Sequence, residues 1–335
     1  MTGRQQLAIG IDFGGSGIKA AVVDVESGEL VSDRLRVPTP TPSEPAAVTE
    51  AMARLVRRAE RQVGGSRLPV GIGIPAVVID GVVTSAANID PGWVDYHAQA
   101  HLSRLLKRPV VTVNDADAAG IAEMRFGAGR GQAGTVIVLT LGTGTGSAIF
   151  VDGALVPNTE LGHMEIRGRD AEHRSAAAAR VRRGLSWKAW AGDLDEHLRQ
   201  IEILFSPRLF ILGGGVSKNA DRFVPRLTVR AEVVPAELRN NAGIIGAAVV
   251  AFERTEATGP VAPPDEPAPG VELPPQVEPA RSEPDEGWLR PPADDPQPAL
   301  PAVGESRDEV GPLRPADDRQ ATLPAEDGPM PPADG

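Results

Sequence analysis

The sequence predicts an α/β protein made of two related halves that grip a phosphorylated ligand between them. Short apolar runs of strand length alternate with longer segments of helical periodicity from about Leu7 to Phe252. Three of the apolar runs end directly in glycine-rich turns, which lie between positions 14 and 215. One such turn is a weak signal, but three of them indicate two α/β halves around one phosphate-bearing ligand.

Strands are predicted where short runs are rich in apolar and β-branched residues. They are Leu7–Phe13, Ile18–Val25, Glu29–Pro38, Val70–Ile74, Val110–Val113, Thr135–Leu141, Ser147–Phe150 and Leu209–Leu212. Helices are predicted where apolar residues recur every three or four positions. They are Pro45–Gln62, Ala116–Phe126, Ser186–Phe205 and Gly243–Phe252.

The composition of the chain changes sharply at Arg254. The segment from there to Gly335 holds 20 of the 32 prolines and 18 of the 45 acidic residues, but only 6 of the 34 basic ones. Its net charge is −12, whereas the rest of the chain is nearly neutral. Such a segment cannot bury enough apolar surface to offset its ordering entropy. We therefore expect residues 254–335 to form a disordered, proline-rich acidic tail.

The absence of cysteine excludes several kinds of site. The chain can form no disulfide scaffold, thiolate nucleophile, or cysteine-ligated zinc or iron–sulfur centre. No apolar run approaches the roughly 20 residues of a membrane helix, and the polar N-terminus does not resemble a signal peptide. We expect a cytoplasmic protein without membrane or nucleic-acid partners.

The first glycine-rich turn comprises Asp12, Phe13, Gly14, Gly15, Ser16, Gly17, Ile18 and Lys19. Glycines let backbone N–H groups approach phosphate oxygens, and Ser16 adds a hydroxyl donor. Lys19 can neutralise phosphate, and Asp12 can hold magnesium through water. A plain glycine hairpin explains this motif equally well. It is neither a P-loop, which ends in Gly-Lys-Ser/Thr, nor a dinucleotide-binding fingerprint, because a strand follows it.

Two further turns follow the strands at Thr135–Leu141 and Leu209–Leu212. Hydroxyls alternate with glycines in the second, and three glycines followed by Ser217 form the third. Both turns suit phosphate oxygens or a nucleotide, and a flexible hairpin remains the alternative. Their candidate donor-binding residues are Thr140, Gly142, Thr143, Gly144, Gly213, Gly214 and Gly215.

The pair Asn114-Asp115 follows the strand Val110–Val113. A carboxylate at a strand end can accept the proton of a hydroxyl that attacks phosphorus. An ordinary helix N-cap is the alternative for this pair. Asp117 competes for the role of base, but Asp115 is preferred because Asp117 falls inside the predicted helix.

The cluster Glu160, His163 and Glu165 places two carboxylates and an imidazole within six residues. Sugar hydroxyls need such hydrogen-bond acceptors, and a metal site is the rival interpretation. One histidine without cysteine is a poor zinc set, so no zinc site is predicted. The remaining histidines are expected at the surface, and they are His97, His101, His173 and His197.

Together, these motifs resemble the ROK family (repressors, uncharacterised frames and sugar kinases). The resemblance spans about residues 7 to 252. It rests on Ile9–Lys19, Gly71–Pro75, Asn88–Trp93, Asn114–Ala119, Thr140–Gly146, Asn158–Glu165, Ser186–Leu194, Ile211–Lys218 and Asn241–Ala248. It implies an actin-like ATPase (ribonuclease H-like) two-domain fold with a central cleft, in a homodimer. In that fold we expect a smaller N-terminal α/β domain of residues 1–115 with 240–253. Residues 116–239 would form a larger C-terminal α/β domain.

The resemblance also implies a kinase that phosphorylates the 6-hydroxyl of glucose. Asp115 would be the base, and the glucose contacts would be Asn88, Asn114, Glu160, His163 and Glu165. Phosphate or magnesium would be bound by Asp12, Gly14, Gly15, Ser16, Thr143 and Gly144.

The phosphoryl donor is predicted from a few local features of the sequence. Most ROK sugar kinases have a cysteine-rich zinc loop after the Gly-His element, and here Gly162-His163 is followed by none. This departure, with Trp187 and Trp190, resembles the branch of the family that uses inorganic polyphosphate, with ATP as a further donor. A strictly ATP-dependent hexokinase acting on glucose, mannose or N-acetylmannosamine is the alternative. A sugar-responsive regulator without catalysis is a remote one, because the first strand begins at Leu7 and leaves no room for a DNA-binding domain.

A basic stretch offers a hypothetical track for the polyphosphate chain. Its members are Arg167, Arg169, Arg174, Arg180, Arg182, Arg183 and Lys188. A long polyanion needs such a track, and a solvated helix face is the alternative interpretation.

Overall fold

The computed structural model describes residues 6–258. The strands are β1 (Leu7–Gly14), β2 (Gly17–Asp24), β3 (Glu29–Leu30), β4 (Leu35–Val37), β5 (Val70–Ile74), β6 (Val78–Ile79), β7 (Val82–Val83), β8 (Val110–Asn114), β9 (Thr135–Leu141), β10 (Thr145–Val151), β11 (Ala154–Val156), β12 (Glu165–Ile166), β13 (Arg169–Asp170), β14 (Leu209–Gly213) and β15 (Glu232–Pro235). The α-helices are α1 (Pro45–Gln62), α2 (Ala98–Leu106), α3 (Asp115–Phe126), α4 (Glu172–Ser175), α5 (Ala177–Arg182), α6 (Trp187–Phe205) and α7 (Ala242–Thr258). Short 3₁₀ turns lie at Pro91–Trp93, Leu161–His163, Gly215–Arg222, Val224–Arg226 and Arg239–Asn241.

The first sheet has the strand order β3-β2-β1-β5-β8, and β4 pairs with β2. β1 and β2 form an antiparallel hairpin, whereas β1, β5 and β8 run parallel and end at one edge of the sheet. α1 covers one face with its apolar side, and α7 covers the other. Any side chain at Gly10 or Gly71 would overlap the backbone of α7, so these glycines permit its close approach.

The second sheet has the order β11-β10-β9-β14-β15, with β9, β14 and β15 parallel. α6 packs on one face through Trp190, Leu194 and Ile201, all buried. α3 covers the other face, where Gly120 lies against Ala148 and Phe150. Because α3 also packs on α7, the two helices lie between the two sheets.

Most predicted elements are present, and several match to the residue, such as α1, β5 and β9. The predicted strand Glu29–Pro38 is wrong, because it is interrupted between β3 and β4. There Ser32 turns its hydroxyl back to accept from the N–H of Val22 at 2.9 Å. α2 was not predicted.

The predicted start of the tail at Arg254 is also wrong, because α7 continues to Thr258. The last turns are supported by the ion pair of Arg125 with Glu253 and by Thr255, whose hydroxyl donates to Ala251 O at 2.8 Å. The rest of the predicted tail, residues 259–335, lies outside the described residues. Within residues 6–258, no helix combines the length and the apolar character needed to cross a bilayer.

Candidate active site

A cavity of about 390 Å³ lies at the carboxyl ends of the parallel strands of both sheets. This is the edge at which α/β proteins place their ligands. The structure brings together there most of the residues predicted from the sequence. They are Asp12, Gly14, Gly15, Ser16, Lys19, Asn88, Asn114, Asp115, Thr140, Gly142, Thr143, Gly144, Glu160, His163, Gly213, Gly214 and Gly215.

Gly17 and Glu165 depart from the prediction, because neither lines the cavity. Gly17 is buried at the base of the β1–β2 hairpin, where a Cβ would meet the guanidinium of Arg36 at 2.7 Å. Arg36 uses that space to donate to Ser16 O at 2.8 Å. Gly17 therefore shapes the turn that carries Gly15 and Ser16 instead of contacting a ligand.

Asp12 and Lys19 are paired cross-strand residues of β1 and β2, and Lys19 Nζ donates to Asp12 Oδ2 at 2.7 Å. The start of α7 approaches the same carboxylate, since a Cβ at Gly243 would lie 3.2 Å from Asp12 Cγ. Among residues 6–258, no three His, Asp or Glu side chains are grouped to hold a metal ion. A single carboxylate fits magnesium, which keeps several waters and takes its other ligands from substrate phosphates.

Asn114 ends β8 and caps α3, as the N-cap alternative predicted. Its Oδ1 accepts from the N–H groups of Ala116 and Asp117 at 2.8 and 3.0 Å, and its Nδ2 donates to Ala76 O at 3.0 Å. The cap places Asp115 as the first residue of the helix, with its side chain at the cavity. Asn114 therefore caps the helix, and the next residue, Asp115, is the candidate base.

The carboxyl group of Asp115 has a strongly raised pKa. Burial raises its pKa to about 8, and the negative charge of Asp12 adds to the shift. Glu160 raises the pKa in the same sense, while the N–H of Ala116 lowers it. A carboxyl group whose pKa is brought near neutrality in a cavity is suited to proton transfer.

Asp117, the competing carboxylate, does not line the cavity. It is 1% exposed, and its Oδ2 accepts from the N–H of Asn158 at 2.8 Å. Burial raises its pKa to about 6, and the Asn158 bond lowers it. Asp117 therefore connects α3 to the segment that leads into Glu160.

Asn88 belongs to the loop that ends at Trp93. The Trp93 ring is fully buried 5.5 Å from that of Phe13, and its Nε1 donates to Ser43 O at 2.8 Å. This anchor fixes the loop beside the first glycine turn. The Asn88 amide lies next to Gly144, where a Cβ would be only 2.9 Å from its Nδ2.

His163 is oriented by a residue that the sequence did not single out. Its Nδ1 lies 2.8 Å from Asp170 Oδ2, and its Nε2 lies 3.8 Å from Glu160 Oε2. The hydrogen bond to Asp170 raises the pKa of His163. Burial raises the pKa of Glu160, and the charge of His163 opposes that shift.

Glu172, and not Glu165, lines the cavity. Glu165 lies exposed on strand β12, where it is opposite Asp170 in the register with β13. Glu172 is the first residue of α4 and lines the cavity. Its Oε2 accepts from the N–H of Thr145 at 2.8 Å. A Cβ at Gly144 would lie 2.4 Å from Glu172 Oε2, so any side chain there would displace the Glu172 carboxylate.

His197, predicted at the surface, is 1% exposed, so that prediction is wrong. Its Nδ1 lies 2.9 Å from Ser175 Oγ, and its Nε2 lies 3.0 Å from Leu161 O. Burial lowers its pKa. The residue thus joins α6 to α4 and to the turn that carries His163. Its position seven residues after Trp190, on the same helical face, is the sequence signal that could have located it.

The basic stretch is largely engaged with carboxylates and aromatic rings. Arg167 and Arg174 pair with Glu196, and Arg174 and Arg183 pair with Asp193. The guanidinium of Arg180 lies 4.0 Å from the centre of the Trp187 ring. The cavity, in turn, is lined by a cation that the sequence did not single out, Arg239.

Comparisons with known proteins identify relatives of this chain. A family model for the ROK family matches residues 8–181. The polyphosphate glucokinase of Mycobacterium tuberculosis (strain CDC 1551 / Oshkosh) is 44% identical over 252 residues, which cover 75% of this chain and 93% of that protein. The glucokinase of Streptomyces coelicolor is 30% identical, over 74% of this chain and 98% of its own.

Solved structures of sugar kinases are also similar to this chain. The inorganic polyphosphate/ATP-glucomannokinase of Arthrobacter sp. strain KM is 50% identical with a TM-score of 0.72, covering 74% of this chain and 99% of that one. A ROK family glucokinase of Streptomyces griseus, in complex with glucose and AMPPNP, is 28% identical with a TM-score of 0.65, over 74% and 99%. These matches confirm the predicted actin-like fold. The chain belongs to the ROK family.

Proposed function

We propose that this protein is a kinase that transfers a terminal phosphoryl group from inorganic polyphosphate to the 6-hydroxyl of glucose, giving glucose 6-phosphate, with ATP as a second donor. The observation that carries the proposal is a single cavity in which Asp115, with its raised pKa, faces three glycine-rich turns. The relatives named polyphosphate glucokinase and polyphosphate/ATP-glucomannokinase support the choice of donor.

Glucose would occupy the end of the cavity lined by Asn88, Glu160, His163 and Glu172. Carboxylates accept hydrogen bonds from sugar hydroxyls, and the imidazole, fixed by Asp170, can either donate or accept. Asn114 has most of its hydrogen-bonding capacity committed to the cap and to Ala76 O. Its main contribution is to position Asp115.

Asp115 would accept the proton of the 6-hydroxyl as the hydroxyl oxygen attacks the terminal phosphorus. The bond from that phosphorus to the leaving oxygen breaks, and the shortened donor leaves with the electron pair. Only the ionised carboxylate can accept a proton, and with a pKa of about 8 most of Asp115 is protonated at neutral pH in the free enzyme, so the fraction able to act as the base rises as the pH passes through about 8.

The donor would lie along the three glycine turns. Backbone N–H groups around Gly15, Gly144 and Gly214 can approach phosphate oxygens, and the N-terminus of α7 presents its positive end at the cavity. Magnesium, held through water by Asp12, would supply neutralisation of the donor's negative charge. Lys19 adds a fixed positive charge beside it.

We also propose the localisation, the oligomeric state and the domain division of the enzyme. By the family resemblance it is a cytoplasmic homodimer without nucleic-acid or membrane partners. Its cleft would separate a domain of residues 1–115 with 240–253 from one of residues 116–239. Sedimentation at several protein concentrations tests the dimer.

A strictly ATP-dependent hexokinase of the same family is the second candidate. The relative from Streptomyces griseus, bound to glucose and AMPPNP, favours it. The deciding experiment measures glucose 6-phosphate formation with magnesium and either long-chain polyphosphate or ATP as the sole donor. Parallel reactions with mannose and N-acetylmannosamine define the sugar range. Product from polyphosphate supports the proposal, and product from ATP alone contradicts it in favour of the second candidate.

A further inference from the structure

The cavity contains one cation that no other group of the described chain engages. Three cationic or potentially cationic side chains line it: Lys19, His163 and Arg239. Lys19 is bonded to Asp12, and His163 to Asp170. The Arg239 side chain is exposed and forms no hydrogen bond or ion pair within residues 6–258. It is therefore the lining cation that is free to bind an anionic ligand.

The backbone at Arg239 is unusual. Its φ is 52°, in the left-handed region that arginine rarely adopts. The residue opens the 3₁₀ turn Arg239–Asn241, which leads directly into α7. Strained residues of this kind are concentrated at ligand sites. Arg239 thus lies where the positive end of α7 faces the donor side of the cavity.

A further cation lies beside this turn, and another lies on a segment that contacts it. Arg34 Nη1 donates to Asn241 Oδ1 at 3.1 Å, which places Arg34 against the turn from the first sheet. The segment Gly215–Arg222, which follows the third glycine turn, contacts the turn as well and carries the exposed Lys218. Arg34, Lys218 and Arg239 are called here the donor-side rim.

The charge of the rim is not neutralised by ion pairs. Asp33, Asp221 and Glu237 lie nearby in the sequence, but none of them pairs with a rim cation within residues 6–258. The stretch from Arg167 to Lys188 differs, because three of its arginines are paired with Asp193 and Glu196. The rim therefore carries positive charge that no ion pair within residues 6–258 neutralises, and one of its members, Arg239, lines the cavity.

We propose that Arg34, Lys218 and Arg239 bind the part of a polyphosphate chain that extends beyond the cavity, and that they favour long polyanionic donors over ATP. This inference rests on the proposed function. Beyond its phosphates, ATP continues as uncharged ribose and adenine, whereas polyphosphate continues as repeating negative charge. Cations outside the catalytic phosphates therefore act on polyphosphate more strongly than on ATP.

The test compares kcat/KM for long-chain polyphosphate, tripolyphosphate and ATP over a series of salt concentrations. Lys218→Gln and the double variant with Arg239→Gln remove rim charge. Arg182→Gln removes an exposed charge from the rival stretch, and Arg58→Gln removes one from the surface of α1. Circular dichroism and thermal unfolding establish that each variant is folded.

The double variant is expected to lower kcat/KM with long-chain polyphosphate about tenfold more than with tripolyphosphate, as the loss of charge-assisted phosphate contacts implies. The salt dependence of the long-chain reaction should flatten as well, because fewer cations engage the chain. Arg182→Gln and Arg58→Gln should leave the ratio between the donors unchanged.

Two results would overturn the inference while the proposed function stands. One is an equal loss with all three donors in the double variant, and the other is a loss of long-chain selectivity in Arg182→Gln. If the unmutated protein makes no glucose 6-phosphate from polyphosphate, the proposed donor fails before any variant is made, and the inference fails with it.

Discussion

Lys19 Nζ lies 2.7 Å from Asp12 Oδ2, and the two residues face each other across the hairpin of β1 and β2. The sequence assigned them separate tasks, phosphate neutralisation for Lys19 and magnesium for Asp12. The structure joins them in one ion pair at the wall of the cavity. Lys19 therefore lies where its charge can act on the donor and orient the carboxylate that would hold magnesium.

Replacing Lys19 by glutamine should lower kcat/KM for both polyphosphate and ATP by roughly tenfold or more, the value of a charge-assisted phosphate contact. Steady-state kinetics with each donor measure the effect. Lys188→Gln, which removes an exposed lysine of α6, is the matched control and should change neither value by more than about twofold. A Lys19→Gln enzyme that equals this control would contradict the role of Lys19.

Glu172→Ala should raise the KM for glucose by about tenfold or more, because a carboxylate that lines the cavity is lost. Glu172→Gln should have a smaller effect, since its side-chain oxygen can still accept from the N–H of Thr145. Glucose titration of the initial rate measures both. Glu165→Ala, on the exposed strand β12, is the control and should leave the KM unchanged. The opposite order of effects would restore Glu165 as the sugar contact.

Asp115→Asn should be more stable than the unmutated protein at alkaline pH. The folded-state pKa of Asp115, about 8, is above its ordinary value of 3.8. Between these values the folded protein keeps a proton that the unfolded chain has lost, so its stability falls as pH rises. The contribution is complete below pH 3.8 and lost once the pH passes about 8. Asparagine is neutral throughout and has no such dependence.

Thermal unfolding without magnesium or donor, from about pH 5 to about pH 9, measures the gap in Tm between the two proteins. The gap should widen as the pH rises and level off above the folded-state pKa. Asp221→Asn, an exposed aspartate, controls for the general loss of a negative charge. A gap that is independent of pH would show that Asp115 is ionised in the free enzyme.

His197→Ala should lower the free energy of unfolding by about 2–4 kcal/mol, because a buried ring and its two hydrogen bonds are lost. The exposed His173 is the matched control, and His173→Ala should stay within about 0.5 kcal/mol of the unmutated protein. Urea unfolding followed by circular dichroism measures both. Equal stabilities for the two variants would contradict the structural role of His197.

The sequence predicted the regular elements and the three glycine turns because each depends on a local pattern. The apolar periodicity of α1 and the short apolar runs of β5 and β9 are visible without knowledge of the fold. Asn114 and Asp115 were located for the same reason, since the end of a strand and the start of a helix are close together in the chain.

The remainder of the site depends on how distant segments meet. Glu165 is nearer to His163 in the sequence, but the β12–β13 hairpin turns the chain so that Glu172 reaches the cavity. Arg239 arrives there because α7 returns to pack on the first sheet. The positions of Glu172 and Arg239 at the cavity do not depend on any periodic pattern in the sequence.

The most direct test of the account compares Asp115→Asn with Asp117→Asn, which alter neighbouring carboxylates of α3. Each is assayed for kcat with saturating polyphosphate and glucose, and for glucose affinity by calorimetry. Asp115→Asn should lose roughly a thousandfold or more in kcat while it still binds glucose, as expected for a lost general base. Asp117→Asn should keep kcat within about tenfold, because Asp117 lies outside the cavity. An Asp115→Asn enzyme that retains more than about a tenth of the kcat would contradict the account.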